Sequence, residues 1–117
     1  MQIYQYHITL EVPLGNRHGV LQIQVQDNTI SGGLYLLGGC FSIFGTTVET
    51  GKCQIHGKFC SPKQEYLYQA EGFYDAEQIF LRLHLGYRIF RLIGYGTKQI
   101  VQKGEKENGL YRDDQQL

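Results

Sequence analysis

The feature that most constrains this chain is an alternation of apolar and polar residues with a period of two. Between residues 2 and 12, apolar side chains occupy every second position from Tyr4 to Val12. Successive side chains of a β-strand point to opposite faces, so this pattern predicts a strand with one buried face. The same alternation recurs in the segments 20–26, 65–74 and 78–85. The sequence therefore predicts an all-β domain.

Short turns predict how neighbouring strands pair. The Asp-Asn dipeptide at 27–28 suits a type I′ hairpin loop, because both residues tolerate a positive φ. The Gly-Tyr dipeptide at 86–87 has the Gly-X form of a type II′ loop. The second loop predicts that Arg82 lies opposite Arg91 on the outer face. Like charges that face each other destabilise a sheet, and we expect Glu71 on the preceding strand to relieve this pair.

For the strand predicted at 40–48, the sequence does not decide which face is buried. Either its odd-numbered residues, from Phe41, or its even-numbered residues, from Ser42, face the core. The choice depends on the loop before the strand predicted at 52–60, and both registers of this hairpin stay open. In that second strand, Cys53 and Phe59 share one face, and His56 and Cys60 share the other.

Together these segments predict about eight antiparallel strands that form a meander and curl into a barrel or flattened barrel, over residues 1–98. Gly32, Gly57 and Gly72 fall on the inward faces of their strands, where a glycine lets a sheet bend toward closure. Residues 99–117 are polar and charged, and they predict a C-terminal tail outside the domain.

Charge and composition argue against several classes of function. Eleven basic and eleven acidic residues cancel, so no basic surface for nucleic acid or anionic membranes is expected. No apolar run approaches the roughly 20 residues that span a bilayer. The N-terminal residues lack the features of a signal peptide, and three cysteines, an odd number, suit a reducing compartment. We therefore expect a cytoplasmic protein.

No motif for catalysis or for a cofactor is present. Cys53, His56 and Cys60 are the closest set of metal-ligand types, but their spacing on a strand points Cys53 and His56 to opposite faces. The glycine-rich segments at 31–33 and 37–40 match no phosphate-binding pattern. We expect no metal and no cofactor, and we favour a non-catalytic role while leaving an enzyme open.

Five tyrosines are predicted to face the barrel interior beside small residues. A barrel of about eight strands is either filled by side chains or holds one small ligand. An inward tyrosine set would suit an apolar or aromatic guest, and a packed core with the hydroxyls at the barrel mouths is the alternative. The candidate ligand-binding residues are Tyr4, Tyr6, Tyr66, Tyr68 and Tyr74.

The outer face of the last three strands is predicted to be unusually apolar, whereas that of the first hairpin is polar. An apolar patch of this kind suggests a subunit interface or a docked partner. The alternatives are that the tail folds over the patch or that the register is shifted by one residue. The candidate interface residues are Leu67, Phe73, Phe80, Arg82, Ile89, Arg91, Ile93 and Tyr95.

Glycine and apolar spacing between residues 4 and 96 resembles that of a group of short, uncharacterised bacterial proteins. The segments that carry the resemblance are Leu14-Gly15, Gly19-Val20-Leu21, Ser31-Gly32, Leu36-Leu37-Gly38, Phe44-Gly45-Thr46 and Ala70-Glu71-Gly72. The chain is similar in general form to lipocalin-like and avidin-like barrels, although it has no tryptophan. The resemblance implies a barrel and transfers no functional residue.

Two functions from different classes are consistent with these patterns. The first is a non-catalytic interaction module that self-associates, or docks on a protein partner, through its last strands. The second is a barrel that holds a small apolar or aromatic ligand, as a carrier, a sensor or a simple enzyme. The fold class alone does not choose between them.

Overall fold

The structure is a computed structural model that describes residues 1–97. The eight strands are β1 (Gln2–Glu11), β2 (Arg17–Gln26), β3 (Thr29–Leu36), β4 (Gly39–Thr47), β5 (Lys52–Cys60), β6 (Glu65–Tyr74), β7 (Gln78–Leu85) and β8 (Arg88–Gly96). The predicted tail at 99–117 and the last residue of the predicted 1–98 domain lie outside the described residues.

The strands form a closed antiparallel barrel in which each pairs with its neighbours in sequence and β8 returns to pair with β1. The predicted all-β meander is therefore confirmed. The loop at 27–28 has a positive φ at both residues, 52° at Asp27 and 64° at Asn28. As the sequence predicted, this loop sets Val25 opposite Ile30. The Gly-Tyr loop also sets Arg82 opposite Arg91.

Barrel closure places inward glycines where neighbouring backbones come close. Gly72 faces Cys53 on one side and Leu81 on the other. A Cβ atom at Gly72 would overlap the backbone carbonyl oxygen of Phe80. Gly45 is similarly restricted by the carbonyl oxygen of Gln54. At these positions only glycine allows the sheet to bend this tightly.

The interior is filled by apolar side chains from all eight strands. Most of the aliphatic members are less than 4% exposed, and each fully buried Leu or Ile contributes roughly 1.5–3 kcal/mol of stabilisation. The buried set is Tyr6, Ile8, Leu10, Leu21, Ile23, Ile30, Leu34, Leu36, Ile43, Cys53, Ile55, Tyr68, Ala70, Ile79, Leu81, Leu83 and Leu92. One continuous core therefore occupies the space inside the barrel.

The barrel resolves the open register of the 40–60 hairpin. Ile43 is 1% exposed and Phe44 is 53% exposed, so the odd-numbered residues of β4 face the core. Ile43 lies opposite Gly57 and Gly45 lies opposite Ile55. This alignment places the apolar side chains of both strands inside, which the hydrophobic effect favours.

The β5–β6 hairpin extends beyond the strands on either side of it. β5 and β6 pair along their length, from Lys52 to Cys60, whereas the β4–β5 ladder ends at Gly57 and the β6–β7 ladder begins at Gln69. The end of this hairpin near 58–67 is therefore a two-stranded ribbon that projects from the barrel end. The seam between β4 and β5 is open beside it.

Candidate functional site

Seven of the eight candidate interface residues share one outer surface, which we call the β6–β8 face. It consists of Phe73, Phe80, Arg82, Ile89, Arg91, Ile93 and Tyr95, of which Ile93 alone is half-buried. Leu67, the eighth predicted residue, lies on the projecting β5–β6 ribbon opposite Lys58, because the β6–β7 ladder begins only at Gln69. The structure therefore brings seven of the predicted residues together, and the one-residue register shift considered as an alternative does not occur.

Exposed apolar side chains form a row across the β6–β8 face. Phe73 lies opposite Phe80, and Phe80 lies opposite Ile93. Phe73 is 57% exposed. Tyr95, the outward residue that follows Ile93 on β8, is 64% exposed. Large aromatic side chains that remain in contact with water lack the stabilisation that burial would give them. A row of such side chains therefore marks a surface that a partner can cover.

A second row, which crosses this face, carries two neighbouring arginines with a glutamate on each side. Glu71, Arg82, Arg91 and Glu11 occupy consecutive strands in that order. The Arg91 guanidinium donates to the Glu11 carboxylate at 2.9 Å, and this contact raises the pKa of Arg91. Arg82 lies 3.8 Å from Glu71. Each arginine of the like-charged pair therefore has its own carboxylate, and both pairs are exposed to solvent.

His84 also lies on this surface and contacts Glu71, a pairing that the sequence analysis did not predict. Its Nε2 atom lies 2.8 Å from a Glu71 carboxylate oxygen, closer than Arg82 does. The expectation that Glu71 relieves the Arg82–Arg91 pair is therefore incomplete, because Glu71 also contacts His84 and Arg91 has Glu11. The hairpin register already placed His84 diagonally to Glu71 on the same outer face.

The outer surface next to the β6–β8 face, on β1 and β2, is polar. The outer positions of β1 and β2 include Gln5, Thr9, Gln22 and Gln24, which are partly exposed. The Thr9 hydroxyl lies 3.1 Å from the His18 Nδ1 atom, in a cross-strand pair. Unlike the β6–β8 face, most of this outer surface presents side chains that water solvates well.

The five candidate ligand-binding tyrosines divide between the two barrel ends. Tyr4, Tyr6 and Tyr74 lie together at one end, with ring centroids 6.4 Å apart for Tyr4–Tyr6 and 5.6 Å apart for Tyr4–Tyr74. The Tyr6 hydroxyl donates to the backbone carbonyl of Asp75, and burial raises the pKa of Tyr6. The Thr47 hydroxyl lies 3.3 Å from that of Tyr74. These hydroxyls are held by the protein itself.

The other end of the barrel holds Tyr68 in an aromatic stack. Its ring lies 4.8 Å from that of Phe59, which lies 5.4 Å from the ring of Phe41. Burial raises the pKa of Tyr68 to about 12. Tyr66 was predicted to face the interior, but it is 41% exposed because it lies on the projecting ribbon beyond the end of the core.

One void inside the barrel is lined by Leu21, Leu34, Ile43, Leu83 and neighbouring core residues, and it has a volume of about 10 Å³. A cavity must offer roughly 10–15 Å³ to hold even one water molecule. Of the five candidate tyrosines, Tyr68 alone borders this void. This arrangement favours a packed core over a common binding cavity.

A surface depression with a volume of about 600 Å³ lies outside the barrel, across β3 to β6. One wall carries Phe44 and His56, whose ring centroids are 6.1 Å apart, and Glu71 stands on the other wall. The backbone of inward residues, including Gly45, lies at its floor. Sequence reasoning missed this groove, because its walls come together only once the register of β4 is known.

The three candidate metal-ligand side chains of β5 lie in different environments. Cys53 is buried, whereas His56 and Cys60 are exposed, so these residues do not converge. Within residues 1–97, no group of three or more His, Cys, Asp or Glu side chains lies close enough to hold a metal ion. The same part of the chain has no helix long and apolar enough to cross a membrane.

Comparisons were made with protein-family models, curated proteins and solved structures. They found no match to this chain. The general likeness to lipocalin-like and avidin-like barrels therefore stays a prediction.

Proposed function

We propose that this protein is a non-catalytic interaction module that self-associates through the β6–β8 face. The observation that carries the proposal is the row formed by exposed Phe73, exposed Phe80 and half-buried Ile93, with exposed Tyr95 beside it. Burying one such aromatic side chain contributes roughly 1.5–3 kcal/mol. A surface with several of them gains most when a partner excludes water from all of them at once.

The order of charges on the face favours a second copy as the partner. A two-fold axis parallel to the strands, between β6 and β7, would set Glu71 against Arg82 of the partner subunit. The same axis would set Phe73 against Phe80 of the partner subunit, because both pairs are direct cross-strand neighbours. Each contact would then occur twice, as an isologous interface requires. The same face on each subunit would thus supply both the apolar contacts and the ion pairs of the dimer.

Phe73→Glu tests this proposal, because the new carboxylate would lie beside Phe80 in the apolar row and against Phe80 of the partner subunit. The matched control is Phe44→Glu, which changes a residue of nearly equal exposure on the outer face of β4. Sedimentation velocity over a range of protein concentrations measures the mass in solution. We expect the wild type and Phe44→Glu to form dimers and Phe73→Glu to be monomeric.

Two results would overturn the proposal. One is a wild-type protein that stays monomeric up to millimolar concentration. The other is a dimer that survives Phe73→Glu unchanged. If Phe44→Glu dissociates the dimer and Phe73→Glu does not, the interface lies on the groove side of the barrel instead.

A small-molecule carrier is the less favoured function. A guest inside the barrel would have to displace core side chains, because the internal void measures only about 10 Å³. The tyrosine hydroxyls at the Tyr4 end already have protein neighbours. The outer surface is therefore where binding by this protein is best supported.

A further inference from the structure

The three cysteines occupy two different environments. Cys40 and Cys60 are exposed, and Cys53 is 2% exposed in the core. Burial raises the pKa of the Cys53 thiol to about 11, so this thiol is protonated and shielded at neutral pH. Only Cys40 and Cys60 are available to reagents in solution.

The strand register points these two exposed cysteines at each other. The β4–β5 ladder ends at the pair Ile43–Gly57, although β4 continues back to Gly39 and β5 continues to Cys60. Extending the same register by three residues sets Cys40 opposite Cys60. The inward neighbours Phe41 and Phe59 remain in contact, with ring centroids 5.4 Å apart. Inward side chains of the two strands therefore remain in contact beyond the last paired residues.

Both cysteines line the same cleft at the open seam. The cleft has a volume of about 330 Å³, and Phe44 and Leu67 contribute to its apolar lining. Cys40 and Cys60 lie on the outward faces of β4 and β5, so their thiols border the cleft from opposite strands. If the open seam closed in the register of the β4–β5 ladder, the Cα atoms of the two cysteines would come to roughly 4.5–5.5 Å, within the usual disulfide range of roughly 4.4–6.8 Å.

Each cysteine also has polar neighbours on its own hairpin. Cys40 pairs across β3–β4 with Tyr35, and a hydrogen bond with Cys40 raises the pKa of the Tyr35 hydroxyl. The Cys60 thiol lies 4.0 Å from a Glu65 carboxylate oxygen that also accepts from the Lys58 ammonium at 3.2 Å. The two thiols therefore belong to separate hairpins, β3–β4 and β5–β6, that meet only at the seam.

We propose that Cys40 and Cys60 are a redox modification site, at which a reversible disulfide links the two hairpins and closes the open end of the β4–β5 seam. This proposal is independent of self-association, because the seam lies on β4 and β5.

Glutathione disulfide is an oxidant of the required class. The thiolate of one cysteine attacks a glutathione sulfur, forms a mixed disulfide and releases one glutathione. The second cysteine, as its thiolate, attacks the protein sulfur of that mixed disulfide and releases the second glutathione. The two protein thiols together lose two protons and two electrons, and one glutathione disulfide is reduced to two glutathione molecules.

The test treats the native protein with glutathione disulfide, blocks the remaining thiols under denaturing conditions and measures the intact mass and the linked peptides. We expect the wild type to lose the mass of two hydrogen atoms, to keep one blockable thiol and to yield a peptide that joins Cys40 to Cys60. Cys53→Ala should give the same internal bond. Cys40→Ser should instead retain glutathione on Cys60, because the resolving thiol is gone.

Other products would overturn the proposal. Glutathione attached simultaneously to Cys40 and Cys60 would show that neither thiol reaches the other. A disulfide between two chains, a bond that includes Cys53, or no reaction of the wild type would each be equally decisive. Circular dichroism of Cys40→Ser verifies the fold, and because Cys40 is exposed, we expect no change in the spectrum.

Discussion

Replacing Leu83 by alanine tests whether the barrel interior is filled. Leu83 is 1% exposed, faces Ala70 and Phe90 on the neighbouring strands, and borders the internal void of about 10 Å³. The change removes three carbon atoms from the core, a transfer loss of roughly 2.4 kcal/mol at about 0.8 kcal/mol for each buried methylene-sized group. The cavity left behind adds to this loss, and comparable Leu→Ala changes span roughly 2.7–5 kcal/mol.

We therefore expect Leu83→Ala to lower the free energy of unfolding by about 3 kcal/mol, measured by urea denaturation. That is a large part of the roughly 5–15 kcal/mol that stabilises a typical domain. The control is Leu14→Ala, at a loop position that is 91% exposed, where a change within about 0.5 kcal/mol is expected.

The same variant distinguishes a packed interior from a ligand cavity. A new apolar cavity stays dry and takes up benzene or xenon, so benzene should raise the stability of Leu83→Ala and leave the wild type unchanged. A loss below about 1 kcal/mol, or stabilisation of the wild type by benzene, would refute the reasoning, because either result requires a loosely filled barrel. It would also restore the ligand-binding function as the better proposal.

Three further outcomes follow from the geometry. Gly72→Ala should destabilise the protein by about 1–3 kcal/mol in urea denaturation, because its Cβ would overlap the Phe80 carbonyl; an unchanged midpoint would contradict the close approach. Glu11→Gln should cost about 0.2–1 kcal/mol at low salt and less at high salt, since the Arg91 pair is exposed; a larger, salt-independent loss would show that the pair is not solvent-screened. Stability should fall as the pH rises from about 9 to about 11, because the unfolded Cys53 thiol ionises first while the folded thiol stays protonated. Cys53→Ala should lack that part of the fall, and an identical pH profile for the variant would contradict it.

Much of this fold could be predicted because hairpins are local. Alternation placed Leu81 and Leu83 inside, and the loops at 27–28 and 86–87 set the register of the strands around them. The same reasoning placed Phe73 beside Phe80, so most of the β6–β8 face could be derived before the structure. In each case the residues that decide the pairing lie within one hairpin of the residues that pair.

Other features could not be predicted because they depend on contacts between distant parts of the chain. The ion pair between Glu11 and Arg91 exists only because β1 closes the barrel against β8. The tyrosines lie at two separate barrel ends because aliphatic side chains occupy the interior between them. Side chains from all eight strands together determine how that interior is filled.

By itself, the sequence determined the strands, the two-residue loops and the face that each hairpin turns outward, since these depend on side-chain period and backbone φ preference over a few residues. Only the tertiary structure decided the inward face of β4, the filling of the interior and the early end of the β4–β5 ladder at Ile43–Gly57. Those outcomes arise when the sheet bends until its first and last strands pair. Closure then determines both the volume inside the barrel and the positions at which neighbouring strands stop pairing.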